Sequence, residues 1–225
     1  MILAYHRINP YYKDDALTVS PENFERQVLY LINKGIRPVL PYNGKIEPAD
    51  FLITFDDGFA DNLWYAEPIL AQYKIRPLIF LTVNYTGTGN IFERYKDREK
   101  DRFLNWKEIK QMSEKGVIFG SHSLSHPHLT CLDNKKLWEE LHTSKKMIED
   151  NIGREVPYFC YPYGDFNNKV IEKVKEAGYK YAFVTPLGDK KIENTSYTLL
   201  RTGIYGHNTP FVFRIKIWKS LREKR

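Results

Sequence analysis

The stretch Phe51-Leu52-Ile53-Thr54-Phe55-Asp56-Asp57-Gly58 decides the fold. A compact apolar run of strand length ends in two adjacent carboxylates and a glycine. Gly58 lets the backbone turn sharply after the run. Residues 61–73 then read as a helix, and residues 77–83 as another strand. Strand, polar turn, helix and strand make the βαβ unit of a parallel sheet.

The alternation continues in both directions. Upstream, residues 1–5 form an apolar run. Ser20-Pro21-Glu22 is a helix start, with a cap residue, proline at the first position and an acid in the first turn. Phe24, Val28, Leu31 and Ile32 follow at helical spacing, Gly35 ends the element, and residues 37–40 read as a strand. Downstream, residues 105–115 are helical, 117–120 a strand, 134–151 a long helix and 157–161 a strand. A helix over 167–177 closes at Gly178, and 179–184 is a strand. A short strand near 198–201 and a basic helix from residue 210 complete the chain. Residues 84–103 form a loop whose charged block, Glu93 to Arg102, reads as a solvated excursion over one end of the fold. Seven or eight strands in this pattern predict an α/β fold with a closed parallel barrel, and an open doubly wound sheet is the alternative. No Gly-x-Gly-x-x-Gly follows a strand, so a dinucleotide-binding sheet has no support. No repeat or linker divides the chain, and residues 1–225 read as a single domain.

The 225 residues are 42% hydrophobic and 28% charged, enough apolar material for one core and too mixed in sign for general disorder. The net charge of +6 suits nucleic acid, anionic lipid or an acidic glycan. It is spread along the chain, however, and no RNP sequence or zinc finger accompanies it, which argues against nucleic acid. No run approaches the roughly 20 apolar residues of a membrane span. The start, Met1-Ile2-Leu3-Ala4-Tyr5, lacks the features of a signal peptide, and the expectation is a cytoplasmic protein. Cys131 and Cys160 are expected as reduced thiols.

Polar groups gather at one kind of place. His6 follows the run 1–5, Asp56 and Asp57 follow 51–55, His122 and His126 follow 117–120, and Tyr163 follows 157–161. In a parallel α/β barrel the carboxyl ends of the strands open on one face, and that face carries the active site. Adjacent side chains leaving a strand diverge, so Asp56 and Asp57 are expected to divide the work, one on a metal and one facing a water. Taken alone, the pair suits an Asp-rich turn capping the next helix equally well. His122 and His126 stand four residues apart, which in a helical turn puts both on one face within reach of one ion. Two histidines and one aspartate with positions open to water are a common catalytic metal arrangement. His128 is a weaker ligand candidate because Pro127 intervenes. The aromatic strand before Pro162 ends in a turn that can aim a backbone N–H at a developing oxyanion. His6 by itself reads as a structural histidine, and His142 and His207 as surface residues.

Together, Thr54-Phe55-Asp56-Asp57-Gly58, His122-Ser123-Leu124-Ser125-His126 and Phe159-Cys160-Tyr161-Pro162-Tyr163-Gly164 resemble the first three motifs of the polysaccharide deacetylases, carbohydrate esterase family four. These share the homology domain of the nodulation chitooligosaccharide deacetylase. The resemblance spans residues 1–205 and implies a distorted (β/α) barrel of seven or eight strands. It implies a hydrolase that releases acetate from N-acetylated amino sugars of a poly- or oligosaccharide. It also implies a divalent metal, zinc first with cobalt or nickel as substitutes, held by Asp57, His122 and His126. Asp56 would then be the general base, and the backbone N–H of Tyr163 would complete the oxyanion hole.

Two positions depart from the family pattern. The arginine that usually braces the catalytic aspartate from the third motif is Cys160 here, and Arg201 is the replacement candidate by position. No Leu-x-His motif follows Tyr163. Leu3-Ala4-Tyr5-His6-Arg7 instead resembles the branch in which that motif is permuted to the N-terminus, which includes the poly-β-1,6-N-acetylglucosamine deacetylases. That resemblance makes His6 the expected general acid. Tyr161 and Trp106 suit either stacking on sugar rings near the mouth or packing in the core. The expected partner is an N-acetylated glycan. The basic C-terminal helix over 210–225 reads either as a last helix packed on the barrel or as a peripheral membrane contact. The alternatives are a metal-dependent amidohydrolase acting on a small N-acyl compound or cyclic amide, and an inactive carbohydrate-binding relative.

Overall fold

Short buried runs form the strands, and amphipathic stretches between them form the helices. The computed structural model describes residues 1–12, 14–40, 47, 49–89, 101–186 and 192–222. In chain order the strands are β1 (Ile2–Tyr5), β2 (Arg7–Ile8), β3 (Thr18–Val19), β4 (Arg37–Pro38), β5 (Asp50–Phe55), β6 (Leu78–Leu81), β7 (Ile118–Ser121), β8 (Tyr158–Cys160), β9 (Tyr181–Val184), β10 (Leu199–Leu200) and β11 (Thr202–Gly203). The helices are α1 (Pro21–Asn33), α2 (Glu67–Gln72), α3 (Trp106–Glu114), α4 (Asn134–Trp138), α5 (Ser144–Ile152), α6 (Asn168–Glu176) and α7 (Pro210–Arg222). All residues of β1, β5, β6 and β8 are buried, as expected of parallel strands covered on both faces. The Ser20 hydroxyl accepts from the Asn23 N–H at the start of α1, and Asn105 with Glu108 forms a capping box on α3.

The main sheet runs β10-β9-β8-β7-β6-β5-β1-β11, all parallel, with β4 pairing the start of β5. Its two ends, β10 and β11, are separated in the chain by Arg201 alone. Leu200 pairs with Val184 on β9, and Thr202 pairs with Leu3 on β1. One strand, interrupted at Arg201, therefore touches both edges and nearly closes the barrel. This is the distorted (β/α) barrel the sequence predicts. β2 and β3 form a separate parallel pair beyond the carboxyl end of β1.

Side chains alternate along a strand, so each strand serves two cores. Ile2, Leu52, Leu78, Phe80, Tyr158, Cys160 and Phe183 form a small inner cluster. Within it Phe80 and Phe183, from strands that do not pair, meet with ring centroids 5.2 Å apart. Leu3, Tyr5, Ile53, Phe55, Ile79, Phe159 and Val184 join the larger cluster on the helix side. Gly120 makes room for the inner cluster, since a Cβ there would lie 2.6 Å from the Phe80 ring. The inward register continues past the strand ends. Two residues beyond Ala4, Thr54 and Gly120 come His6, Asp56 and His122.

Several expectations need adjustment. The helix over 61–73 opens with a π-turn, Asn62–Ala66, and the helix over 134–151 carries another, Glu139–Thr143, between α4 and α5. The strand expected over 37–40 shortens to Arg37–Pro38. Most of the charged block in the excursion over 84–103 falls outside the described residues. The described ends are tied by antiparallel bridges, Gly89 to Arg102 and Phe59 to Phe103. Cys131 is exposed and Cys160 buried, and both are free thiols. No described helix is long and apolar enough to cross a membrane.

Candidate metal and catalytic site

The ends of β1, β5 and β7 bring His6, Asp56, Asp57, His122 and His126 together. Asp57 has φ 70°, a left-handed conformation that turns its carboxylate away from its neighbour, and Gly58 follows at φ 83°. A Cβ on Gly58 would lie 2.7 Å from Leu81 Cδ2, so the turn needs glycine for space as well as for conformation. Asp57 Oδ1 lies 3.6 Å from His126 Nε2 and 3.8 Å from His122 Nε2. The two Nε2 atoms are 3.2 Å apart.

The imidazoles meet through a turn and not through a helix. Ser123 and His126 are left-handed, at φ 69° and 62°, and no helix spans residues 122–126. The His126 N–H donates to Ser123 Oγ at 2.9 Å. The N–H groups of Val83 and Asn84 donate to the carbonyls of Ser123 and Leu124. The two imidazoles therefore meet through the geometry of this turn, and the helical face expected from their spacing is absent.

These groups suit a divalent ion. His122 Nδ1–H donates to the Cys160 carbonyl at 2.8 Å, which leaves the Nε2 lone pair facing Asp57 and His126. Burial lowers the pKa of His122 to about 3 and that of His126 to about 4, so both rings are neutral near pH 7. Neutral imidazole is the ligating form, and two such nitrogens with one carboxylate oxygen match the donor set of catalytic zinc sites. Asp57, His122 and His126 form one of two groups with metal-ligand spacing among the described residues. The other joins Asp56, His122 and Cys160. Its Asp56 is already engaged by arginine, and burial pushes the Cys160 thiol up, so it is the poorer donor set.

Asp56 is gripped by Arg201, whose Nη1 and Nη2 donate to Oδ1 and Oδ2 at 2.7 Å each. The same guanidinium donates to Thr54 Oγ1 at 3.0 Å and to Cys160 Sγ at 2.9 Å. The arginine missing from the third motif is thus replaced in space by Arg201 from the barrel seam. Burial raises the pKa of the Asp56 carboxyl. The charge and hydrogen bonds of Arg201, with smaller contributions from His122 and His6, outweigh it and hold the group below the ordinary carboxylate range. His6 Nε2 lies 4.0 Å from Asp56 Oδ2, with 23% of its side chain exposed.

Tyr163 is left-handed at φ 58° and half exposed. Its ring packs edge-on to His126, with centroids 4.5 Å apart, and flat on His128 at 4.2 Å. His128 lies outside both ligand groups and instead approaches Asp165, Nδ1 to Oδ2 at 3.5 Å. Of the two places open to Tyr161, the core is the one it takes: it is buried and donates its hydroxyl proton to the Tyr197 carbonyl. Trp106 is half-buried against the helix-side core. The exposed aromatic beside the cluster is Tyr163.

Two further side chains reach the loops after β1 and β7 without a sequence signal. Asn62 Nδ2 donates to the His6 carbonyl. Glu140 accepts from the N–H groups of Leu124 and Ser125. Arg7, almost fully buried, forms ion pairs with Asp61 and Asp101. Asn62 and Glu140 lie on the π-turns, which apolar spacing does not reveal.

Helix α7 buries Phe213 and Ile217, while Phe211, Ile215 and Trp218 remain exposed.

A family model described as polysaccharide deacetylase matches residues 44–182. The poly-β-1,6-N-acetyl-D-glucosamine N-deacetylase of Staphylococcus aureus (strain MRSA252) is 26% identical over 223 residues, covering 92% of this chain and 74% of that one. The crystal structure of a polysaccharide deacetylase from Bacillus cereus superposes with a TM-score of 0.79 at 27% identity, covering 96% of this chain and 68% of that one. A Streptococcus pyogenes deacetylase, solved in complex with acetate, shares the fold, with a TM-score of 0.80 at 23% identity and 96% of each chain covered.

Proposed function

The chain belongs to the polysaccharide deacetylase family, and from that premise we propose that it hydrolyses the N-acetyl groups of a glucosamine polymer at the cluster around Asp56 and Asp57. The observation that carries this reading is the convergence of Asp57 Oδ1 with two imidazole Nε2 atoms, 3.2–3.8 Å from one another, beside an Asp56 locked by Arg201.

Asp57, His122 and His126 hold the ion, and zinc suits their donor set. When bound, it supplies Lewis-acid polarisation of the acetyl carbonyl and makes water easier to deprotonate. Asp56 takes the proton of the attacking water as general base. Arg201 keeps that carboxylate ionised and fixes both of its oxygens. The backbone N–H of Tyr163 donates to the carbonyl oxygen as negative charge gathers there. His6, beside Asp56 and partly open to solvent, delivers a proton to the departing sugar amine. The products are acetate and a glucosamine unit.

The name of the S. aureus relative supports a β-1,6-linked substrate. Contact with an anionic membrane surface through α7 belongs to the same reading. Phe211, Ile215 and Trp218 recur at i, i+4 and i+7, and Arg214, Lys219 and Arg222 surround this outer stripe.

The test is acetate release by zinc-loaded protein from N-acetylglucosamine oligomers in β-1,6 and β-1,4 linkage. Release is expected from the β-1,6 series, abolished by a chelator and restored by zinc. No release from either series by protein at full zinc occupancy would overturn the reading.

A further inference from the structure

The turn that presents His126 uses two left-handed residues, Ser123 and His126, neither of them glycine. Side chains of L-residues rarely adopt that conformation, so surrounding contacts must impose it. The carbonyl side of the turn is held by Val83 and Asn84, and the Tyr85 hydroxyl donates to the Ser125 carbonyl. The two central N–H groups of the turn, those of Leu124 and Ser125, are held by one carboxylate. Glu140 Oε2 accepts from the N–H groups of both Leu124 and Ser125 at 2.9 Å, and Oε1 accepts from the Ser125 hydroxyl. Successive N–H groups after a left-handed residue form an anion cradle, and here the chain supplies its own anion.

Glu140 lies on the π-turn Glu139–Thr143, and such turns inside helices are frequent at functional sites. The turn is also tied to the barrel. Ser144 Oγ contacts the Glu140 carbonyl, and the Ser121 hydroxyl at the end of β7 donates to Ser144 Oγ. One residue therefore connects the irregular helix to the loop that carries two imidazoles.

We propose that Glu140 is a positioning residue of the metal site, holding the 123–126 turn in the shape that places His126 Nε2 beside His122 and Asp57. The inference rests on the ligand set proposed above. Glu140 acts through the N–H groups of Leu124 and Ser125 and has no place in the ligand set itself.

Zinc affinity of the metal-free full chain, measured by competition with a chromophoric chelator, tests this. Glu140→Ala is expected to weaken zinc binding about 10- to 100-fold. Glu140→Gln keeps an oxygen for the two N–H groups and is expected to stay within about threefold of the parent. Glu139→Ala removes a neighbouring exposed charge and is expected to leave affinity unchanged. Thermal midpoints of the metal-free proteins separate loss of fold from loss of positioning. Should Glu140→Ala not fold, Ser125→Ala removes one contact and is expected to give a smaller loss in the same direction. Parent-like affinity in Glu140→Ala or in a folded Ser125→Ala would overturn the inference. So would equal losses in the Ala and Gln variants, which would assign the effect to charge. A parent chain that binds no zinc would instead overturn the ligand set beneath it.

Discussion

Asp56 and Asp57 share a peptide bond and serve different partners. Asp56 continues the inward register of β5 and meets Arg201, while Asp57 turns left-handed and meets the histidines. That two adjacent carboxylates must diverge is legible in the sequence. Which one turns is not, because φ 70° at a non-glycine residue leaves no trace in residue type. The histidines give the site its acid sensitivity. Burial lowers His122 and His126 from the ordinary 6.5 to about 3 and about 4. Below pH 6.5 the unfolded chain therefore takes up protons that the folded chain refuses. Stability from these groups is present above 6.5 and is lost as the pH falls. Denaturant unfolding of chelator-treated protein is expected to lose about 3 kcal/mol between pH 6.5 and 5. Replacing both histidines by phenylalanine should flatten that slope. An equal slope in the double variant would count against burial as the cause.

At the scale of elements, the seam between β10 and β11 matters most. Position in the chain marked Arg201 as the replacement brace, but not that it interrupts the closing strand. Its guanidinium enters the inner core, over the Phe80 ring at 5.4 Å, and reaches Asp56. Arg201→Leu leaves a buried carboxylate without its partner, at a cost of about 3–5 kcal/mol near neutral pH. Chemical denaturation should show that loss and should show it shrinking in acid, where Asp56 takes up a proton. The double variant Arg201→Leu/Asp56→Leu should recover much of it. A loss below about 1 kcal/mol, within the range of a surface ion pair, would contradict the role given to the seam. The strands themselves were legible because each ends in a polar turn. The π-turns were not, since Leu137, Leu141 and Ile148 keep ordinary helical spacing through the second one.

For the whole molecule, alternation along the strands decides both fold and site. Inward positions build the inner cluster low in the barrel and place His6, Asp56 and His122 beyond its strand ends. The sequence carried this because apolar runs and the polar residues after them share one phase. The position of Tyr161 did not follow from its aromatic neighbours, because ring type says nothing about which face of a strand end it occupies. Charge operates at the same scale. The chain carries +6, and α7 adds an exposed apolar stripe. Cosedimentation with vesicles containing an anionic phospholipid is expected, weakening as salt rises. Trp218→Ser combined with Phe211→Ser should reduce it severalfold while the fold is unchanged. Equal binding to purely zwitterionic vesicles would contradict the role assigned to the basic residues.

The division of labour between the paired carboxylates is the central claim, and zinc content measured alongside acetate release tests it most directly. Asp56→Asn is expected to retain about one zinc per chain and lose turnover by about two orders of magnitude or more. Asp57→Asn is expected to lose the metal and the activity together. An Asp57→Asn protein that keeps its zinc, or an Asp56→Asn protein that turns over at the parent rate, would contradict the assignment.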